Sequence, residues 1–228
     1  MKVLDLFSGL GGWSAAFKDR GHTVITVDNN PKFNPTICAD INNLDIDRFI
    51  QEYGYPDVVL ASPPCNHFSI ASVYRHWDKD GNPNPETIES IRLVGNTIRF
   101  ILSLHPRYWI LENPRGMMRR VIGKPSVTTF YAAYGMPYLK PTDLWGVLPD
   151  IQWNKPKKWL KAPRGAHSGI QGIDGAYVKA WSPNGMSEEL RALELRALVP
   201  YALSEAVCLA CENGLKRHKR HIEEKDRD

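Results

Sequence analysis

The chain is poor in cysteine: its 228 residues carry four, at positions 38, 65, 208 and 211, too few and too scattered for a disulfide framework. Long apolar runs are missing as well, and none reaches the roughly 18–20 residues that a membrane-spanning helix requires. Neither sign of charge dominates, since 29 Lys and Arg stand against 25 Asp and Glu; the net charge of +4 permits a nucleic-acid partner without demanding one. The first residues, Met1-Lys2-Val3-Leu4-Asp5, enter an apolar strand pattern with no leader-type cleavage region, so a cytoplasmic chain with reduced thiols and no membrane partner is expected. What remains is a chain long enough for one α/β domain with a small appendage.

Residues 2–7 read as a short buried strand. Ser8-Gly9-Leu10-Gly11-Gly12 follows at once, then Trp13, Ala16 and Phe17 at helical spacing up to Gly21. A second strand over 23–28 ends on Asp28, a short third lies at 37–40, and a fourth at 57–61 runs into Ser62-Pro63-Pro64-Cys65, where prolines end any ladder. The stretch 70–86 is rich in Gly, Pro and Asn and reads as a mobile loop. Ile88, Ile91, Val94, Ile98, Ile101 and Leu102 keep a 3.6-residue period and predict a helix over 87–104. A further apolar strand spans 108–114. Strands alternating with helices predict an α/β fold with a doubly wound, mostly parallel sheet, whose ligands gather at the carboxyl ends of the strands. Beyond it, 127–131 is strand-like, 137–185 is dominated by loop signals, and helices are predicted at 187–198 and 201–213, the second stopped by Gly214.

A glycine turn between a first strand and a first helix lets backbone N–H groups approach a ligand. Here, however, Ser14 stands where a dinucleotide fingerprint wants its third glycine, which disfavours a pyrophosphate cradle. Asp28 suits a ribose diol, Asp40 an adenine amine, and Phe7 the adenine face. Adenosine without phosphates fits S-adenosylmethionine; the plain alternative is a turn that only packs helix on strand. Cys65 lies just past one strand end and Glu112 at the end of the next apolar strand, so neighbouring strand tips would bring thiol and carboxyl to one crevice. Those two groups suit a pyrimidine. Carbon 5 of cytosine is a poor nucleophile, but a thiolate added at carbon 6 makes an enamine, and a carboxyl bonded to ring N3 and the exocyclic amine stabilises that addition. A duplex substrate must then flip its base into the site.

Three segments in this order, Asp5-Leu6-Phe7-Ser8-Gly9-Leu10-Gly11-Gly12-Trp13, Pro63-Pro64-Cys65-Asn66-His67-Phe68-Ser69 and Leu111-Glu112-Asn113-Pro114, resemble signature motifs of the cytosine-C5 DNA methyltransferases. The resemblance covers about residues 1–116. It implies a Rossmann-like, S-adenosylmethionine-dependent fold with a reduced, loop-rich C-terminal part, and DNA as partner with the target cytosine flipped out. It further implies Cys65 as nucleophile, Glu112 as the N3 partner, and Phe7, Gly9, Gly11, Trp13, Asp28, Asp40, Ile41, Ser62 and Pro63 around the cofactor. The 66–86 loop would close over the base, placing Asn66, Ser69 and Arg75 near DNA. On this reading 1–135 is the cofactor-binding and catalytic core, 136–186 a reduced recognition region, 187–214 helices returning to the core, and 215–228 a charged tail.

The family's Gln-x-Arg-x-Arg motif, whose arginine assists nucleophile and base, has no clear counterpart; Arg164 is the candidate and Arg115 the second choice. The usual recognition insert is also missing, which leaves short target sites, single-stranded DNA or a partner protein as sources of specificity. The compact layout resembles the small methyltransferases of bacteriophages. Trp153, Trp159 and Trp181 with Lys155, Lys157, Lys158 and Lys161 suit bases and phosphates; the equal alternative is a solvated loop packed by its own tryptophans. Cys208-x-x-Cys211 sits in an apolar helical pattern without a second pair, so core cysteines and no metal site are expected. The alternatives are the same chemistry on RNA cytosine, and a catalytically inactive DNA-binding homologue.

Overall fold

The computed structural model describes residues 1–136, 139–155 and 198–225. Its frame is a seven-stranded sheet of order β3-β2-β1-β4-β5-β7-β6. The strands are β1 (Lys2–Leu6), β2 (Thr23–Asp28), β3 (Ile37–Cys38), β4 (Val58–Ala61), β5 (Tyr108–Pro114), β6 (Val127–Phe130) and β7 (Pro141–Val147). The first five run parallel, with Leu4 in register with Ile25 and Val59, and Ala61 with Leu111. β7 runs antiparallel between β5 and β6. This is the expected doubly wound, mostly parallel α/β sheet.

Side-chain alternation divides each central strand between two cores. Leu4, Leu6, Val59 and Ala61 face one layer with Phe49 of α2 (Ile46–Tyr53) and Phe100 and Ile101 of α4 (Pro85–Ser103). Val3, Val58, Leu60 and Ile110 face the other, with Phe17 of α1 (Ala15–Asp19) and Leu203 and Val207 of α6 (Tyr201–Lys225). Coverage on both faces explains why Val58–Ala61 is apolar at every position. α4 starts two residues earlier than its apolar period suggests, because Pro85 sits in the first turn and Asn84 caps it, accepting from Thr87 N at 2.9 Å.

Four features depart from the sequence reading. The 70–86 loop holds a 3-10 turn at Ile70–Ser72, the short helix α3 (Val73–His76) and a bridge between Trp77 and Pro83. α5 (Met118–Ile122) follows β5 directly. β7 lies inside the stretch read as loop: Pro141, Asp143 and Gly146 argued against a strand, but Pro141 is its first residue, and buried Asp143 is paired with Arg119 of α5 at 2.6 Å. α6 runs through Gly214 into the charged tail. A Cβ at 214 would lie 2.1 Å from the Tyr108 hydroxyl oxygen, so this glycine serves close packing and does not stop the helix. Cys208 and Cys211 are fully buried on α6, and burial pushes the Cys208 thiol up to about 11. The helix predicted at 187–198 falls, save for Leu198, outside the described residues. Among the described residues, no helix is long and apolar enough to cross a membrane.

α6 returns to the start of the chain. Its Ser204 hydroxyl donates to Trp13 O at 2.5 Å and accepts from Ala16 N at 3.2 Å. Glu212 binds both the Arg20 guanidinium and the His22 ring, which hold its carboxyl down at about 2. α6 thus ties both ends of the sheet, with Ser204 beside the turn after β1 and Glu212 at the amino ends of the strands, near the start of β2.

Candidate active site

β1 leads into a turn built on left-handed backbone. Phe7 has φ 58°, a conformation that costs a non-glycine residue roughly 1–2 kcal/mol, and Gly9 and Gly11 follow at φ 47° and 74°. Gly9 N donates to one Asp28 carboxylate oxygen and Asn30 N to the other, both at 2.9 Å. Each oxygen keeps acceptor capacity for a further donor. Gly12 is where the returning chain presses in: a Cβ there would lie 2.8 Å from Val199 O.

Two clefts open on this turn, and Phe7 lines both. The smaller adds Asp28, Asp40, Ile41, Pro64 and Leu93; the larger adds Gly9, Gly12, Trp13, Ser62 and Val199. Trp13 Nε1 and Ser62 Oγ are buried without a hydrogen-bond partner among the described residues, and both belong to the second cleft. Two orphaned polar atoms in one cleft fit a ligand with a polar end. Of the expected cofactor residues, Gly11 and Pro63 line neither cleft. Gly11 shapes the turn through its N–H to Ser8 O at 2.7 Å, and buried Pro63 accepts from Asn113 Nδ2 at 2.9 Å.

Asp5 forms part of the second cleft's wall and accepts from Ser14 Oγ at 2.6 Å. Burial pushes its carboxyl up to about 7 against the opposing pull of Ser14 and Lys18. The unfolded chain would release this proton near the ordinary carboxyl value of about 4, so the raised value contributes stability below that pH, and the contribution is lost as pH rises through about 7. Asp5→Asn keeps the acceptor and removes the titration. Its melting temperature relative to the parent is expected to climb between pH 4.5 and 8, reflecting a few kcal/mol at roughly 1.4 kcal/mol per pKa unit. A constant difference across that range contradicts the buried titration.

Cys65 is half-buried beyond β4, and Glu112, 4% exposed, stands on the adjacent β5. Burial pushes the Cys65 thiol above its ordinary value, the Glu112 carboxylate adds to the rise, and the Lys140 ammonium opposes it. Lys140 immediately precedes β7, with φ 27°; burial lowers its pKa while Glu112 and Cys65 raise it. Its Nζ lies 4.1 Å from the ring centroid of Tyr131, whose hydroxyl donates to Glu112 Oε1 at 3.3 Å. Thiol, carboxylate and ammonium therefore act on one another at the tips of neighbouring strands. Lys140 was not anticipated. Arg164 lies outside the described residues, and Arg115 is exposed past β5. The missed signal was the strand that follows Lys140, hidden by prolines at 137 and 141.

The chain after Cys65 folds back on it, with Phe68 N and Ser69 N both donating to Cys65 O at 3.0 Å. It leans on the end of β5 through Met117 N to Phe68 O at 2.7 Å. Asn66 and Arg75 are exposed and Ser69 is half-buried; the Arg75 guanidinium stands 5.3 Å from the Tyr74 ring centroid. Lys158 lies outside the described residues.

Fold and site together define a doubly wound α/β protein with paired ligand clefts at its strand ends and a cysteine, carboxylate and lysine cluster beside them. Residues 1–126 match the family model for the C-5 cytosine-specific DNA methylase, and the chain belongs to that family. A probable DNA (cytosine-5)-methyltransferase of Frog virus 3 is 32% identical over 167 residues, covering 69% of this chain and 74% of the viral protein. The type II methyltransferase M1.HphI of Haemophilus parahaemolyticus is 28% identical over 54% of this chain and 35% of its own length. M.XorII of Xanthomonas oryzae pv. oryzae is 29% identical over 50% and 28%. The chain spans about a third of the length of these bacterial relatives.

Proposed function

We propose that the protein methylates carbon 5 of cytosine in DNA, with S-adenosylmethionine as donor, through a covalent adduct at Cys65. The observation that carries this reading is the mutual placement of Cys65, Glu112 and Lys140. When bound, S-adenosylmethionine supplies a methyl group made electrophilic by its sulfonium. Phe7, Asp28, Asp40 and Ile41 would hold its adenosine, with Trp13 and Ser62 toward its polar end. The cytosine must leave the stack to reach the site, at a cost of a few kcal/mol. Glu112 bonds N3 and the exocyclic amine, and the Cys65 thiolate adds to carbon 6, moving an electron pair to carbon 5. Carbon 5 takes the methyl group with S-adenosylhomocysteine as the leaving group, then gives up its proton to solvent, and the bond from carbon 6 to sulfur breaks as the ring double bond returns. The ammonium of Lys140 favours the thiolate against burial and against Glu112. The exposed segment carrying Asn66, Tyr74 and Arg75 offers the substrate a stacking and phosphate-binding edge.

Labelled S-adenosylmethionine incubated with separate DNA and RNA pools, followed by nucleoside mass spectrometry, tests the assignment. Label in 5-methyl-deoxycytidine is expected. Label confined to 5-methylcytidine makes RNA the substrate, and none in either pool despite cofactor binding makes the chain an inactive homologue. Lys140→Met retains the apolar stem and removes the charge. Alkylation of Cys65 by iodoacetamide at pH 8 should slow roughly tenfold, as an opposite charge shifts a pKa by about one unit or more, and Lys140→Arg should restore it. An unchanged alkylation rate in Lys140→Met contradicts this role.

A further inference from the structure

The segment that follows Cys65 is tied back to α4 by a cluster that the methyl-transfer chemistry does not use. His67 lies in the turn after β4, His76 ends α3, and Glu86 is in the first turn of α4; one ligand-type atom from each lies within 4.8 Å of the other two. His67 Nε2 stands 3.9 Å from Glu86 Oε2. The ring of His76 meets that of His67 edge to face, with centroids 4.3 Å apart.

His67 Nδ1 lies 2.5 Å from the Ser90 hydroxyl, so Nε2 is the nitrogen that faces the cluster. It stands too far from Glu86 Oε2 for a direct hydrogen bond. His76 Nδ1 is itself buried without a hydrogen-bond partner among the described residues. Three ligand-type atoms therefore converge on a point that no hydrogen bond between them fills.

We propose that His67, His76 and Glu86 bind a divalent transition-metal ion of the zinc type, with solvent completing the shell. Two imidazoles and one carboxylate with an open position match the donor set of three-ligand zinc sites, and imidazole donors select against magnesium and calcium. Ligand atoms about 2.0–2.1 Å from a tetrahedral ion lie about 3.4 Å from one another, so on binding the three donors, now within 4.8 Å, must draw together, in large part by movement of the Glu86 carboxylate. Its side chain is 78% exposed and free to do so. Ser90 supplies the outer hydrogen bond that orients a metal-bound histidine. A bound ion would join the turn after Cys65, the short helix α3 and the start of α4 into one body. The site is independent of the reading of Cys65 and Glu112.

The full-length chain, stripped with a chelator and dialysed, is titrated with Co²⁺ followed by visible absorption and with Zn²⁺ by calorimetry. One equivalent is expected at this site, with ligand-field bands and no thiolate-to-cobalt charge-transfer band. Glu86→Gln and His76→Gln should each weaken binding at least tenfold, and Zn²⁺ should slow proteolysis within residues 67–86 of the parent but not of His76→Gln. Glu86 is exposed, so Glu86→Gln keeps the test open even where His76→Gln folds poorly. No binding by the parent overturns the proposal. So does affinity unchanged in Glu86→Gln, or a thiolate band, which would move the ion to the group formed by His22, Cys208 and Glu212.

Discussion

Cys65→Ala is expected to abolish methyl transfer to cytosine while S-adenosylmethionine affinity stays within a few fold. The size of the loss follows from the chemistry, since without a nucleophile at carbon 6 the ring cannot place electron density on carbon 5, and no other described cysteine can substitute. Cys38 is exposed on β3, separated from β4 by β2 and β1, and Cys208 and Cys211 are sealed in the core on the inner face of α6. Cofactor affinity is spared because Cys65 lines neither cleft at the glycine turn. Single-turnover methylation together with a cofactor-binding isotherm checks both halves. Turnover at the parent rate rejects the nucleophile, and a hundredfold loss of cofactor affinity assigns the residue to a different task.

Glu112→Gln is expected to lower the methylation rate by about 10²–10⁴-fold, the range over which a positioned acid or base contributes. The substitution keeps the volume of a side chain that is 4% exposed and keeps an acceptor for the Tyr131 hydroxyl, so the fold should be retained. What disappears is a carboxyl able to share a proton with N3. The same change carries a second consequence of opposite sign. The Glu112 carboxylate pushes the Cys65 thiol pKa upward, so its loss should make Cys65 alkylate faster at neutral pH while cytosine is methylated more slowly. A structural role alone would slow methylation without quickening alkylation. Parallel rates of alkylation and methylation in this variant, measured against the parent, decide between the two.

The parallel half of the fold was legible because its strands are short, mostly apolar at their centres and in most cases end near glycine or proline. Val58–Ala61 and Tyr108–Pro114 declare themselves in this way, and their adjacency brings Cys65 and Glu112 together. β7 was not legible. Its proline, aspartate and glycine each argue against a strand in isolation; Pro141 is tolerated as the first residue, and the other two are explained by partners distant in sequence. Asp143 is held by Arg119 of α5, and a Cβ on Gly146 would lie 2.1 Å from Trp109 O. Lys140 was lost with that strand, since its role depends on where β7 begins and not on any local motif. Gly214 misled in the same manner: local propensity read it as a stop, whereas contact with Tyr108 of β5 makes it part of a continuous helix. The cluster of His67, His76 and Glu86 was hidden because its members are spread over twenty residues of a stretch that reads as loop.

The most direct test of the account is to trap the protein on DNA. An oligonucleotide carrying 5-fluorocytosine permits addition at carbon 6 and methylation at carbon 5 but blocks the final elimination, since fluorine occupies the place of the departing proton. Incubated with S-adenosylmethionine, digested and sequenced by mass spectrometry, the protein should yield one peptide bearing the modified nucleotide on Cys65. Attachment at another residue, or no covalent complex under conditions in which ordinary cytosine is methylated, would contradict the claim that this thiol forms the adduct.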